Sequence, residues 1–270
     1  MSAALRKVSI NSRILAALPP SEFARIQPQL EHVYLEKGRL VYLMGDRIRY
    51  VYFPIEGLLS LLSATASGST VEVAMVGNEG AVGLPVILKK GMMSYEVSVQ
   101  FPVNAFRIKA EVLQEEFDRG ERLQAHMLAY THMLMAQIAQ VSICNRFHTI
   151  EKALSRWLLM AQHHVNTKSL NLTQENISNA LGVPRTAITT AAGNLQRGGI
   201  IRYSRGNIEI LDREALKANS CECYGILHNE LQQFLLDKNP SNTQSDFRLS
   251  PLHDRHPKFI HVKTESSEFG

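Results

Sequence analysis

The segment from Val183 to Asn207 is rich in arginine and contains no acidic residue. Its basic residues are Arg185, Arg197, Arg202 and Arg205. Phosphate binding requires a surface of one charge sign, and the guanidinium fork also pairs with guanine in the major groove. Arg185 is the predicted guanine reader, and Arg205 is predicted to lie along the backbone or in the minor groove. The segment therefore predicts a surface that binds double-stranded DNA.

Short polar side chains accompany these arginines and suit close approach to bases, thymine methyl groups and phosphates. The predicted DNA-contacting residues are Thr173, Arg185, Thr186, Thr189, Thr190, Asn194, Arg197, Arg202, Ser204 and Arg205. The alternative is a small surface domain whose arginines are only solvated, because any two short helices can resemble this pattern. Four arginines in a segment without an acidic residue favour DNA binding over this alternative.

The order of elements around these residues predicts a winged helix-turn-helix. Thr173 is a favourable N-cap for a helix over Gln174–Leu181, and Gly182 supplies a tight turn. Pro184 begins a second helix over Arg185–Arg197. Two predicted strands then form the wing, and they are Ile200–Tyr203 and Ile208–Ile210.

The composition excludes some classes of protein. The chain has 270 residues, 45% hydrophobic and 20% charged, which is long enough for two domains. Its net charge of +4 is only mildly basic, so a nucleic-acid surface must be local. We expect no signal peptide, and no run reaches the ~18 apolar residues of a membrane span. A cytoplasmic protein without a membrane partner is therefore predicted.

The cysteines and the catalytic motifs give negative expectations. Cys144, Cys221 and Cys223 match neither a disulfide framework nor a zinc site of known spacing. Cys221 and Cys223 are interpreted as small apolar residues at a helix start, with a thiol switch as the alternative. The sequence also lacks a nucleophile elbow, a Walker loop and an HExxH motif. We therefore expect no metal, no catalytic residue and no enzyme.

Short apolar runs recur between His32 and Ile108 and are separated by turn residues. This spacing predicts an antiparallel β-sandwich, barrel or roll, and an α+β fold class for the whole chain. Glu72 alternates with valines and is predicted to mark a polar face of its strand. The predicted strands are Val33–Leu35, Leu40–Tyr42, Tyr50–Phe53, Leu58–Ser63, Val71–Val76, Val97–Phe101 and Val103–Ile108.

A long helix is predicted over Glu121–Asn145. Apolar residues at steps of four and three form the seam of a predicted two-stranded coiled coil, which implies a homodimer. The seam consists of Leu123, Met127, Tyr130, Leu134, Gln137 and Val141, followed by Cys144. The alternative is an ordinary core helix. A second stripe of Thr131, Met135, Ile138 and Ser142 flanks the seam, so that one face can rest on the β-domain while the other meets a partner.

The remaining segments complete the predicted domain organisation. A helix over Thr149–His164 begins the DNA-binding domain, and helices over Asp212–Lys217 and Tyr224–Leu236 close it. The polar tail carries three histidines without metal-site spacing and is predicted to be disordered. The predicted units are a β-domain (12–120), a dimerisation helix (121–146), a DNA-binding domain (147–236) and the tail (237–270).

From about Ile14 to Leu216 the chain resembles the Crp/Fnr family of bacterial transcription regulators. The resemblance is carried by LTQENISNALGVPRTAITTAAGNLQRGGII with its Arg-Gly wing, and by Gly45-Asp46, Tyr52-Phe53, Glu56-Gly57 and Gly77-Asn78-Glu79-Gly80. It implies an N-terminal β-roll of the cyclic-nucleotide-binding type and a homodimer along the central helix. It also implies control of promoters through a palindromic site, with RNA polymerase as a further partner.

The recognition helix departs from the family pattern. Many relatives begin this helix with Arg, then Glu, then a second Arg four residues after the Glu. Here Arg185 holds the first place, while Thr186 and Thr190 hold the other two. The Glu that accepts a hydrogen bond from cytosine is therefore missing, so the best-known half-site of the family is not assumed.

The predicted effector pocket departs as well. Relatives that bind cyclic AMP hold its phosphate with a helix N-terminus and an arginine, yet residues 77–100 contain no arginine. Backbone N–H groups and two lysines could still meet an anion. The candidate pocket residues are Gly80, Val82, Gly83, Leu84, Lys89 and Lys90. We expect that cyclic AMP does not bind and that no cofactor is required.

Two functions remain open at this stage. The first is a dimeric transcription regulator with an altered effector pocket and half-sites about one helical turn, ~34 Å, apart. The second is a sensor of a cyclic dinucleotide or other metabolite that binds DNA only when liganded. An iron–sulfur sensor is disfavoured because such a cluster needs about four cysteines. Haem ligation by His32 has no supporting feature.

Overall fold

The computed structural model describes residues 11–236, and the predicted tail with its histidines lies outside the described residues. In this part of the chain the helices are α1 (Arg13–Ala16), α2 (Pro20–Ile26), α3 (Ala110–Asp118), α4 (Arg122–Phe147), α5 (Ile150–Val165), α6 (Gln174–Leu181), α7 (Arg185–Arg197), α8 (Arg213–Asn219) and α9 (Glu222–Leu236). The strands are β1 (Glu31–Leu35), β2 (Leu40–Tyr42), β3 (Tyr50–Ala64), β4 (Thr70–Val76), β5 (Glu96–Lys109), β6 (Ser169–Asn171), β7 (Ile201–Ser204) and β8 (Asn207–Ile210). None of these helices combines the length and the apolar composition that a bilayer crossing requires.

Strands β1–β5 form one antiparallel sheet in the order β1-β5-β3-β4, with β2 also paired to β5. We call this sheet, together with α1–α3, the sheet domain. Four predicted strands are in fact two long ones, because β3 and β5 each continue through a segment predicted as a break. The register between them shifts from Pro54 to Leu59, and such bulges bend a strand pair.

Gly57 makes this bend possible. Its φ is +90°, and a Cβ atom there would lie 2.0 Å from the carbonyl oxygen of Pro102 on the opposite strand. Only glycine tolerates both the left-handed backbone and this approach. The glycine therefore marks a bulge in a continuous strand, where the sequence pattern suggested a turn between two strands.

The predicted coiled-coil seam on α4 is wrong. All six seam side chains are buried within their own chain, namely Leu123, Met127, Tyr130, Leu134, Gln137 and Val141. The first four pack into the core of the sheet domain, and α9 covers α4 as well, with Phe234 against the ring of Tyr130. Gln137 Oε1 accepts a hydrogen bond of 2.9 Å from the Met75 N–H on β4. The face of α4 that carries these six residues therefore belongs to an ordinary core helix, which was the alternative interpretation of the sequence.

The winged helix-turn-helix is confirmed, and both central helices have the predicted bounds. Thr173 caps α6 in a capping box with Asn176, and Gly182 ends α6 in the left-handed conformation. Strand β6 pairs with β8 and was not predicted, because three residues carry too little pattern. We call α5–α8 with β6–β8 the winged-helix domain.

Strand β4 joins the two domains through Glu72, which was predicted to mark a polar face of the strand and is buried. Trp157 Nε1 on α5 donates a hydrogen bond of 2.7 Å to this carboxyl group, and the Ser60 hydroxyl donates another. Met75 and Leu58 enter the same apolar cluster as Trp157. The apparent polar face is therefore an interdomain contact, where a buried carboxyl group is tolerated because it is hydrogen-bonded.

A second buried link lies at the C-terminal end of α5. Glu79 Oε2 lies 3.3 Å from His164 Nδ1, and both side chains are almost fully buried. Burial works to raise the pKa of Glu79, but the charge and hydrogen bond of His164 together with backbone N–H groups outweigh it, and the pKa is lowered. Gly77 must lack a side chain, because a Cβ atom would lie 2.5 Å from His164 Nδ1. The Gly77–Gly80 motif thus allows the sheet domain to pack closely against α5.

Replacing Glu72 with Gln should remove a pH dependence of stability. Burial, opposed by the hydrogen bonds of Ser60 and Trp157, raises the pKa of Glu72 to about 7 from an ordinary 4.5. Between these values the folded chain keeps a proton that the unfolded chain releases, so the free energy of unfolding falls as pH rises. The loss above the folded pKa is about 3 kcal/mol. Urea unfolding of Glu72→Gln should match the wild type near pH 4 and exceed its stability by about 3 kcal/mol near pH 8.

The matched control is Glu36→Gln, which changes an exposed carboxyl group of the same domain. Its unfolding free energy should follow the wild-type pH profile throughout. A Glu72→Gln profile that runs parallel to the wild type would contradict the burial argument.

Candidate nucleic-acid interface

All ten predicted DNA-contacting residues are exposed on the winged-helix domain. They are Thr173, Arg185, Thr186, Thr189, Thr190, Asn194, Arg197, Arg202, Ser204 and Arg205. Their exposure follows from the packing of α7, which buries Ile188, Ala191, Ala192 and Leu195. The opposite face of α7 therefore points its arginine and threonine side chains to solvent. The structure leaves contact with DNA itself a prediction.

Gln174 organises the start of α7 and was missed by the sequence analysis. Its Oε1 accepts a hydrogen bond of 3.3 Å from Arg185 Nε and one of 2.9 Å from the Thr189 hydroxyl. One amide thereby orients the predicted guanine reader and its neighbour on the next turn. The available signal was the position of Gln174 directly after the N-cap Thr173, where a side chain lies beside the following helix.

The wing presents Arg205 at its tip. Arg205 has φ of +46° and Gly206 has φ of +79°, so the two form the tight turn between β7 and β8. Arg202 differs, because its Nη1 lies 2.8 Å from Glu209 Oε2 on the neighbouring strand. The sequence count of acidic residues stopped at Asn207 and overlooked this partner. Arg205 is therefore the stronger candidate for a phosphate contact.

The C-terminal end of α7 carries a small polar network. Asn194 Nδ2 donates a hydrogen bond of 2.7 Å to Glu151 on α5, and Arg197 donates to Asn194 Oδ1. Both predicted contact residues are thus engaged with protein groups. Of the four predicted arginines, Arg185 pairs with a neutral amide and Arg205 lies at the wing tip, whereas Arg197 and Arg202 are bonded to Asn194 and Glu209.

The six predicted effector residues do not form one pocket. Gly80, Val82, Gly83 and Leu84 are buried, and Val82 exchanges backbone hydrogen bonds of 2.9 Å with Tyr52. A Cβ atom on Gly80 would lie 2.3 Å from the Tyr130 hydroxyl oxygen, so the ring of Tyr130 occupies this position. Burial raises the pKa of Tyr130 well above its ordinary value. These four residues are therefore packed against protein groups, and the expectation that cyclic AMP does not bind stays a prediction.

Lys89 and Lys90 lie elsewhere, on the rim of a surface depression of about 640 Å³. Lys89 Nζ is 2.6 Å from Asp118 Oδ2, and both groups are solvent-exposed. The depression also has other cationic residues in its lining, and these are Arg47, Arg49 and Lys109. The two lysines are therefore separate from the buried glycine segment with which they were grouped.

Two domain families match the chain in the order that the structure shows. The cyclic nucleotide-binding domain matches residues 32–119, and the Crp-like helix-turn-helix domain matches residues 152–219. The chain belongs to the Crp/Fnr family. This Crp/Fnr protein is a DNA-binding transcription regulator.

Known proteins that resemble this Crp/Fnr regulator have the same organisation. The global nitrogen regulator of Synechococcus elongatus is 23% identical over 67% of this chain and 86% of its own length. The transcriptional regulator SdrP of Thermus thermophilus is 27% identical over 64% of this chain and 84% of its own length. The structure of FixK2 from Bradyrhizobium japonicum superposes with a TM-score of 0.62 at 14% identity, over 71% of this chain and 98% of that one.

In this Crp/Fnr regulator, Arg185→Ala should lower specific DNA binding by about 1–3 kcal/mol and relax the base preference at one position. The reason is loss of the predicted bidentate contact between its exposed guanidinium and guanine. Titrations of a selected site and of single-base variants of it would measure the effect.

Arg205→Ala is the matched control on the wing. A lost phosphate contact should weaken binding to all sequences alike and reduce the salt slope by about one. An unchanged base preference in Arg185→Ala would contradict its assignment as a base reader.

Proposed function

We propose that this regulator binds a two-fold symmetric promoter site as a homodimer, pairing through the exposed face of α4, and without cyclic AMP. The observation that carries the proposal is the second, solvent-exposed apolar face of α4. The proposal includes contact with RNA polymerase at the promoter and a cytoplasmic location, since that is where a bacterial promoter is read.

The exposed face of α4 is unusually apolar for a helix already packed on its other side. Leu128 is 48% exposed, Met135 65%, Ile143 47% and Phe147 74%. Leu128 and Met135 are two turns apart, which is the spacing of equivalent positions in a coiled coil. A contiguous apolar surface of this kind indicates a protein interface, and a second copy of the helix matches it by two-fold symmetry.

Pairing along α4 would place the two winged-helix domains on the same side of the dimer. The N-terminal ends of the two α7 helices could then enter successive major grooves, about one helical turn or ~34 Å apart. The contacts of Glu72 and Glu79 hold each winged-helix domain to its own sheet domain, so the spacing between the two α7 helices would be set by the dimer contact together with these links.

Two observations support independence from cyclic AMP. Residues 77–100 contain no arginine to neutralise a cyclic phosphate. Tyr130 fills the space against Gly80, and the Val82 N–H is already bonded to Tyr52. A bound nucleotide would have to displace a buried aromatic side chain and break these backbone bonds.

Met135→Glu should shift the protein from dimer to monomer while leaving it folded. The substitution places a charge at the centre of the proposed interface, but its site is exposed in the single chain. Sedimentation velocity and far-ultraviolet circular dichroism would measure the two properties together. In contrast, Leu134→Glu buries a charge in the sheet-domain core and should cost several kcal/mol of stability.

Leu88→Glu is the matched control, because Leu88 is a similarly exposed apolar residue on the sheet domain. It should remain dimeric. A dimer that persists in Met135→Glu would refute pairing through this face of α4.

Selection from a randomised DNA duplex pool, with no ligand added, tests the DNA half of the proposal. We expect a palindromic motif with two half-sites one helical turn apart. Recovery of an asymmetric motif would refute dimeric recognition. Binding that only falls with salt and selects no motif would refute ligand independence, and a motif that then appears with cyclic mono- or dinucleotides would establish the sensor alternative.

A further inference from the structure

Four metal-binding side chains meet at the C-terminal end of α4. They are Cys144, His148, Cys221 and Cys223, and their ligand atoms all lie within 4.8 Å of one another. Cys144 and His148 are one helical turn apart at the end of α4, and Cys221 and Cys223 flank the start of α9. The whole winged-helix domain separates the two pairs in sequence, so zinc-finger spacing rules did not detect them. The interpretation of Cys221 and Cys223 as merely small apolar residues overlooked this cluster.

We propose that these residues form a Cys₃His site for a single zinc ion. Three thiolates and one imidazole form a complete protein ligand set for tetrahedral zinc, as in structural zinc sites. Sulfur-rich tetrahedral sites select zinc over the hard cations magnesium and calcium, which prefer oxygen ligands.

Two of the ligand-to-ligand distances match the edges of a zinc tetrahedron. Zinc–sulfur bonds of about 2.3 Å and a zinc–nitrogen bond of about 2.0 Å place two sulfurs about 3.8 Å apart, and sulfur and nitrogen about 3.5 Å apart. The Sγ atoms of Cys144 and Cys221 are 3.6 Å apart, and Cys223 Sγ is 3.5 Å from His148 Nδ1. The three cysteines are free thiols rather than a disulfide with a third cysteine beside it.

Neighbouring groups are arranged as the outer shell of a metal site. His148 directs Nδ1 at the thiols, while its Nε2 lies 3.1 Å from Glu222 Oε1. A carboxylate on the second ring nitrogen commonly fixes the tautomer and orientation of a zinc-bound histidine. Gln140 Nε2 donates a hydrogen bond of 3.0 Å to Cys223 Sγ, in the direction that a thiolate accepts.

Burial and charge favour the site as well. The three cysteine side chains are buried, and the buried guanidinium of Arg156 donates a hydrogen bond of 3.3 Å from Nε to Cys144 Sγ. Three thiolates and a zinc ion carry a net charge of −1, which this cation offsets. Cys144 and His148 also line a cavity of about 430 Å³ that gives a path of entry.

The ion would join the last turn of α4 to the first turn of α9. These ends lie on either side of the winged-helix domain in the chain. The zinc ion would therefore connect the chain segments that enter and leave the winged-helix domain. It would lie next to the junction between α4 and α5, where this domain begins.

Elemental analysis of the intact protein purified without chelator is the first test, and one zinc per chain is expected. Cobalt(II) alone, added to protein stripped of metal under reducing conditions, should give sulfur-to-cobalt charge transfer and the intense visible absorption of tetrahedral cobalt. Folded, reduced protein that contains no zinc and gives only the weak spectrum of hydrated cobalt would overturn the proposal. Iron with acid-labile sulfide would overturn it in favour of a cluster.

Thiol reactivity gives a second, independent readout. In the zinc-loaded protein the three thiols should react with a thiol reagent only after a chelator is added. Immediate reaction of all three without chelator, in protein that circular dichroism shows to be folded, would overturn the proposal.

Glu222→Gln tests the site without disturbing the core, because Glu222 is exposed and contacts His148 from outside. Loss of an outer-shell carboxylate should weaken zinc about 10-fold in a competition with a chromophoric chelator. Glu214→Gln, at an exposed glutamate of α8, is the matched control and should bind zinc as the wild type does. His148→Ala should lose the zinc, whereas His132→Ala, on the exposed face of α4, should keep it. Full zinc retention by His148→Ala would overturn the assignment of His148 as a ligand.

Discussion

The contact of β4 with α4 and α5 is the constraint on which the rest of this molecule depends. On one side the Met75 N–H is bonded to Gln137 of α4, and on the other Glu72 is bonded to Trp157 of α5. A single strand of seven residues therefore determines how both long helices sit on the sheet domain. Since these polar contacts are buried, loss of one partner would leave an unsatisfied group at a cost of about 1–3 kcal/mol.

This constraint links the sheet domain to the placement of the recognition helix. Strand β4 also meets the helix-turn-helix itself, because Gly182 at the end of α6 packs against Val71. Any change in the sheet domain that moves β4 would be transmitted to α6 and α7 through packed side chains and not through a loose linker.

The elements that sequence predicted best are those specified by their own residues. Thr173, Gly182 and Pro184 each carry a local signal, so the bounds of α6 and α7 followed from them without knowledge of the rest of the chain. The exposure of the ten candidate DNA-contacting residues followed in turn from the apolar pattern of α7. The contacts of Gln174 with Arg185 and Thr189 could not be predicted in this way, because no local rule identifies which polar side chain will bond to the following helix.

The errors arose where the decisive partner is distant in sequence. The helix α4 is apolar on two faces, and its pattern cannot say that α9 and the sheet domain cover one of them. Glu72 was interpreted as part of a polar face because its hydrogen-bond donor, Trp157, lies 85 residues away in the sequence. The cysteines of α4 and α9 looked unrelated for the same reason. Periodicity detects an apolar side but does not reveal what it meets.

The path of α9 has a consequence for how the chain is made. Leu231, Phe234 and Leu235 lie in the last helix of the described residues, yet they pack into the core of the sheet domain, which is the first to leave the ribosome. That core therefore stays incomplete until the DNA-binding portion has been synthesised. The nascent regulator must therefore carry an exposed apolar surface on α4 from the completion of α4 until α9 has been synthesised, and a chain released in this interval would keep it.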